Sequence, residues 1–196
     1  RELMDTLEIW DERLSGFGGA IMEERQRYLQ NLEPEVREIY RGISKNREQI
    51  GLQMVMTGIN QQNTGKKYAE AMMETLHKCQ RDDLGAGFTT VGPHRDDLQL
   101  TLNGSPARIF GSQGQQRSIV LSLKLAEAAV LESIIGEPPA VLLDDVMSEL
   151  DISRQEYLLN HLQGRQIFIT CCDASTMRML EQGKVFCVQE GNIREE

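Results

Sequence analysis

The chain has 196 residues, 40% of them hydrophobic and 26% charged, which gives it the length for a packed core and the composition of a globular protein of one or two domains. No stretch approaches the roughly 18–20 uninterrupted apolar residues of a membrane span, and the formal net charge of −9 excludes a broad positive field for non-specific nucleic-acid binding. Any DNA contact must come from a local basic patch, a partner, or sequence outside the chain.

The amino terminus, Arg1-Glu2-Leu3-Met4, has neither an initiator Met nor a signal peptide's apolar stretch, so it reads as a cut inside a longer, cytoplasmic protein. Cys79, Cys171, Cys172 and Cys187 form no C-x-x-C pair and have no His at zinc-site spacing; reduced, packed thiols are expected.

Residues 1–56 are charged and helix-prone, with apolar residues at helical spacing (Leu3, Leu7, Trp10, Leu14, then Ile21, Met22, Tyr28, Leu29, Leu32). Gly16-Phe17-Gly18-Gly19 is expected to interrupt the pattern, and Pro34 to open another helix at its first turn. Arg25, Arg27, Arg37, Arg41, Lys45 and Arg47 are interleaved with Glu23, Glu24, Glu33, Glu35 and Glu38, the pattern of a solvated face rather than a DNA-binding stripe. A short strand around Leu52–Thr57 and a helix from about Lys67 to Cys79 follow. Residues 1–84 thus read as a helical arm domain.

From Gly87 the pattern is mixed. Leu98, Leu100 and Leu102 alternate with polar residues as in a half-buried strand, Asn103-Gly104 signals a hairpin turn, and Ala107–Phe110 is the expected return strand. Next are expected a helix over Gln113–Ile135, a strand over Ala140–Leu143, a helix over Arg154–Leu162, a strand over Gln166–Thr170, a short helix near Ser175–Leu180 and a hairpin around Lys184–Ile193. Alternation of this kind predicts an α/β sheet with helices packed on it, here assigned to residues 85–196.

Two segments carry chemistry. Phe110-Gly111-Ser112-Gln113-Gly114-Gln115-Gln116-Arg117 lies at the mouth of the long helix, with Ser112 as N-cap. A helix start presents unpaired N–H groups and a positive dipole end to an anion such as phosphate, although an ordinary capped helix would look the same. The body of this helix is apolar on most sides and is expected to be buried. The second segment, Ala140-Val141-Leu142-Leu143-Asp144-Asp145-Val146, puts two carboxylates at the end of an apolar strand, where α/β proteins place ligands. Asp144 suits a magnesium ion bound to phosphates, and Asp145 could hold or deprotonate an attacking water. The bland alternative is two acids that end a strand. Ser148-Glu149-Leu150-Asp151 adds a further acidic turn before a helix.

Ser112-Gln113-Gly114-Gln115-Gln116-Arg117 resembles the signature motif of ABC-type ATPases in the form used by the RecF family of bacterial repair proteins. Leu142 to Asp151 resembles that family's Walker B strand and D-loop, and Val91-Gly92-Pro93-His94-Arg95-Asp96-Asp97 matches another of its motifs. The resemblance covers residues 87–196 well; the helical stretch before them fits by position. It implies an α/β ABC-type ATPase head, distal lobe, with an inserted helical arm. It further implies that Ser112, Gln113, Gly114 and Gln115 serve ATP held by a second subunit, Ser112 and Gly114 at its γ-phosphate. Asp144 would serve Mg2+, Asp145 would be the catalytic base, and Ser148 and Asp151 would form the D-loop at a dimer interface. The implied function is ATP-driven homodimerisation on DNA at single-strand gaps and junctions, with RecO and RecR, in support of RecA loading. An SMC-type chromosome-organising head is the alternative, disfavoured by the lack of sustained heptads. A transporter subunit is disfavoured by the Gln-rich signature. The resemblance assigns no role to His94 or Arg95, and His94 is expected to be a structural hydrogen-bonder.

No G-x-x-x-x-G-K-[ST] loop is present; Gly65-Lys66-Lys67 has Asn60 at the first glycine position and Lys67 at the hydroxyl position, and is a decoy. The P-loop is expected upstream of Arg1. Phe168-Ile169-Thr170 runs into Cys171-Cys172, so no switch histidine follows that strand, which fits slow turnover. With Asp144 and Asp145 facing a triphosphate and no P-loop lysine, these 196 residues alone are expected neither to bind ATP tightly nor to hydrolyse it.

Overall fold

A computed structural model describes residues 2–59, 67–162, 164–172 and 183–195. The decoy segment 60–66 and the helix expected near 175–180 lie outside them. Contacts divide the chain into two compact units, one of residues 1–34 and 50–109, the other of residues 35–49 and 110–196. These differ from the expected segments 1–84 and 85–196. The strand expected near residue 52 pairs with the one near residue 100, which binds residues 50–109 into one body.

Helix α1 (Glu2–Ile43) runs unbroken through both its glycine run and Pro34, contrary to the expected interruptions. Packing explains the glycines. A Cβ on Gly18 would lie 2.3 Å from the sulfur of Met72, and one on Gly19 2.4 Å from the backbone nitrogen of Ala69. The glycines therefore mark where another helix crosses closely, not where helix ends. Pro34 costs one intrahelical hydrogen bond, but buried Leu29 and Leu32 before it and Val36 and Ile39 after it hold the helical path.

In the first unit, β1 (Ile50–Val55) pairs antiparallel with β2 (Asp97–Leu102), in register from Ile50 opposite Leu102 to Val55 opposite Asp97. The Asn103-Gly104 turn returns the chain as expected, but the return strand β3 is only Ser105–Pro106. Residues Ala107–Phe110 form a helical turn, α3, instead of the expected strand, because Pro106 has no N–H to continue a ladder. Helix α2 (Tyr68–Ala86) ends on Gly87 at φ 76°. Met22, Met56, Met72, Leu76 and Val91 form the core of this unit.

The motif Val91–Asp97 is held by contacts within the first unit. His94 Nε2 lies 3.0 Å from the Thr89 carbonyl, the Arg95 guanidinium sits over the Phe88 ring, and Arg25 of α1 donates to the Pro93 carbonyl at 2.6 Å. The Asp96 side chain is 1% exposed; Oδ1 accepts from Thr57 N–H at 3.1 Å, and Oδ2 lies 3.7 Å from Arg25.

In the second unit, α4 (Gln113–Ile135) ends on Gly136 at φ 82°. Strand β4 (Val141–Asp144) pairs parallel with β5 (Ile167–Thr170), and α5 (Ile152–His161) lies between them in sequence. Strands β6 (Phe186–Gln189) and β7 (Asn192–Glu195) form the expected hairpin. The α4 body is buried on one face only, through Ile119, Leu121, Leu125, Ala126 and Val130. Val120, Leu131, Ile134 and Ile135 are exposed, so the expectation of a wholly buried helix fails. Val120 and Leu131 join Leu142 of β4, 75% exposed, in lining an apolar cavity of about 590 Å³.

Candidate functional site

Both chemical segments belong to the second unit. Ser112 caps α4 from extended backbone, in a reciprocal box with Gln115. The Gln115 N–H donates to Ser112 Oγ at 3.3 Å, and the Ser112 N–H donates to Gln115 Oε1 at 2.7 Å. Ser112 and Gln113 are solvent-exposed. The Gln115 amide continues outward, donating to Glu48 Oε1 at 2.7 Å, while the buried Tyr40 hydroxyl donates to Glu48 Oε2 at 2.6 Å. Burial and this acidic partner raise the Tyr40 phenol far above its ordinary pKa. The tip of α4 is thus anchored to residues 35–49 by one carboxylate that bridges two donors.

At the other segment, Asp144 closes β4 opposite Thr170 at the end of β5. Thr170 Oγ1 donates to Asp144 Oδ1 at 2.5 Å and accepts from the Asp145 N–H at 3.0 Å. Asp145 adopts φ 53°, a left-handed conformation uncommon for a residue other than glycine, and this turns the chain away from the strand immediately after Asp144. Both aspartates are exposed. Beyond them, Ser148 Oγ donates to the Asp145 carbonyl at 2.8 Å, and the Gln155 amide donates to the carbonyls of Met147 and Leu150 at 2.6 and 3.1 Å. The turn Met147–Glu149 is held from below by α5.

Asp151 caps α5, accepting from the Arg154 N–H at 3.0 Å, and its second oxygen pairs with the Arg154 guanidinium at 3.1 Å. The same guanidinium nitrogen would lie 3.2 Å from a Cβ built on Gly114. Arg154 therefore connects the turn after β4 with the glycine at the tip of α4. A side chain at position 114 would press on it and shift the guanidinium by a few tenths of an ångström. Among the described residues no group of three or more His, Cys, Asp or Glu is gathered in a metal-binding cluster.

Sequence reading did not single out Glu48, Tyr40, Arg154, Gln155 or Thr170. Glu48 lies in a polar stretch far from either motif, and only its position opposite Gln115 reveals it. Thr170 was read as a strand end; the parallel register that places it beside Asp144 was the available signal.

No family model matches the chain. It is 40% identical, over 193 residues, to the DNA replication and repair protein RecF of Geobacter sulfurreducens, an alignment that covers 96% of this chain and 53% of that protein. Solved structures of the recombination mediator protein RecF in the RecFOR pathway, RecF-ATPrS and RecF-ATP, match with TM-scores of 0.81 and 0.80 at 34% identity. They cover 97% and 98% of this chain and half of each matched chain. This is a RecF-family sequence. The chain spans about half the length of the curated relatives it matches. A solved structure concerned with ATP-driven dimerisation and DNA-stimulated activation of SMC ATPases matches with a TM-score of 0.50 at 10% identity, which extends the likeness in fold alone. The RecF-family α/β fold is that of the ABC-type ATPase head. Among the described residues, no helix is long and apolar enough to cross a membrane.

Proposed function

We propose that this chain supplies the trans-acting and metal-positioning half of an ATP-dependent DNA repair ATPase. In this reading Ser112, Gln113, Gly114 and Gln115 receive the triphosphate of ATP bound by a second subunit, with the Ser112 hydroxyl and the first N–H groups of α4 at the γ-phosphate. Asp144 serves Mg2+, Asp145 orients and deprotonates the attacking water, and Ser148 and Asp151 lie at the subunit interface. The observation that carries the reading is the Asp151–Arg154 pair set against Gly114, which couples the acidic turn to the phosphate-facing helix tip within one compact unit.

The donor set fits a hard cation. Thr170 holds one Asp144 oxygen and leaves the other without a partner among the described residues, and magnesium on a nucleotide commonly takes only one or two protein carboxylates. Bound there, the ion would neutralise charge on the transferring phosphoryl group. The chain's own contribution is positional: Thr170 orients Asp144, and Asp145 follows it in a left-handed turn.

At the level of the whole protein, ATP bound between two heads would close a homodimer on gapped or junction DNA, acting with RecO and RecR to load RecA. ATP would be a ligand of the closed state, so binding switches DNA affinity and hydrolysis resets it. RecF at 34–40% identity is favoured over an SMC-type head, whose likeness is at 10%. In the full-length protein, Ser112→Arg should abolish ATP-dependent dimerisation, measured by light scattering, while each monomer still binds ATP; persistent dimers would reject the signature assignment. Asp145→Asn should retain nucleotide binding and lose hydrolysis. Unchanged turnover would remove Asp145 from the role of base.

A further inference from the structure

The first unit holds a pocket of its own, bordered at Phe88 and Thr89 by the segment that leads into the Val91–Asp97 motif. It lies between the first turns of α1 and the last turns of α2, has a volume of about 280 Å³, and is lined by residues that include Leu7, Asp11, Leu76, Asp83 and Phe88. Asp11 is only 7% exposed, and among the described residues its carboxylate has neither a hydrogen-bond donor nor an ion pair. A largely buried carboxylate left so is costly, because only the water of the pocket remains to solvate it. Burial raises its pKa, and the nearby Asp83 and Glu8 act in the same direction while His77 opposes them. The sign is unfavourable to the isolated fold: the penalty is absent below the ordinary carboxylate range near pH ~4 and complete above the raised folded value.

We infer that the Asp11 pocket receives an arginine side chain from a protein partner, whose guanidinium pairs with Asp11 while its aliphatic stem lies along Leu7, Leu76 and Phe88. The size fits, since the pocket falls below the roughly 300–1,000 Å³ of cofactor and ligand sites. The charge excludes a phosphate or nucleic-acid ligand, as Asp11, Asp83 and Glu8 all repel one. No three-ligand metal cluster forms among the described residues. Guanidinium is favoured over ammonium because it is weakly hydrated and stacks on aromatic rings. The Phe88 ring already accepts the Arg95 guanidinium at 5.2 Å. Asp83 keeps its shape during binding, since its Oδ1 is fixed by the Thr90 N–H and hydroxyl at 2.9 and 2.5 Å. The exposed Leu84 and Phe88 at the rim would be covered by the partner's backbone.

The test uses N-acetylarginine amide and its neutral isostere N-acetylcitrulline amide, titrated into the chain with carbon-13-labelled aspartate and followed by NMR. The arginine probe should shift the Asp11 carboxyl signal saturably, and more strongly as pH rises through the Asp11 titration; the citrulline probe should not. Asp11→Asn should reduce affinity at least about tenfold, as loss of a shielded charge contact does, while leaving the thermal midpoint equal to or above that of the wild type. A residue whose role is only structural would lower it. Should Asp11→Asn misfold, Asp83→Asn keeps the acceptor for Thr90 and removes one charge, and it should weaken the arginine response several-fold. Equal responses to the two probes, no saturable response, or an undiminished response in the folded variants would overturn the proposal.

Discussion

The Thr170 hydroxyl donates to Oδ1 of Asp144 at 2.5 Å across the parallel pair β4–β5, and the same oxygen accepts the backbone N–H of Asp145. One threonine thereby ties the carboxylate of Asp144 to the backbone of Asp145. Thr170→Val keeps the shape and removes both bonds. Because the site is exposed, the expected loss is about 0.5–1.5 kcal/mol, read as a lower urea midpoint at unchanged slope, with Thr170→Ser close to wild type. In a full-length protein the same change should raise the Mg2+ concentration needed for half-maximal ATPase activity.

The glycine run of α1 should divide under alanine substitution. Nothing lies within 4 Å of a Cβ at Gly16, so Gly16→Ala should stabilise by about 0.5–1 kcal/mol through helix propensity. Gly19→Ala drives a methyl into the backbone of α2 and should destabilise by roughly 1–3 kcal/mol. Thermal denaturation of the two variants side by side gives opposite signs.

These glycines also show where sequence reading succeeds and fails. Helix α4 was legible because the Ser112 N-cap and the apolar run after it are local signals that need no tertiary partner. Strand β4 and its acids were legible for the same reason. The run Gly16–Gly19 was read as a break because propensity cannot reveal Ala69 and Met72 packed against it. Likewise, Glu48 looks solvated until the fold places Tyr40 and Gln115 at its two oxygens. The exposed face of α4 was misread because apolar composition does not say which side is covered. The site's motifs were local, and its supports were not.

Arg25 and Asp96 should behave as a coupled pair. Arg25→Ala strips the ion pair from a carboxylate that is 1% exposed. The expected cost is about 2 kcal/mol, below the ~3–5 of fully buried pairs because Arg25 itself is 43% exposed. Adding Asp96→Asn should recover part of that loss, so a double-mutant cycle in denaturant should give a coupling well outside additivity.

His161 supplies a pH signature. Burial depresses its pKa, Arg165 adds to the effect and Glu35 opposes it, while its ring stacks on Tyr157 with centroids 5.7 Å apart. The unfolded chain therefore takes up a proton more readily than the folded one. Stability from this group is full above the unfolded value near pH ~6.5 and is lost as pH falls toward the depressed folded value. His161→Phe keeps the stack and should flatten that part of the stability–pH curve between about pH 7 and 5.

The bridge from Gln115 to Glu48 spans 67 positions of sequence, and every residue between Gln49 and Phe110 belongs to the other compact unit. During synthesis, the segment that carries Tyr40 and Glu48 leaves the ribosome well before the helix it anchors exists. The intervening unit has all its parts in hand first and can close ahead of it. The unit that holds the tip of α4 and the acidic strand end is therefore the late-folding one.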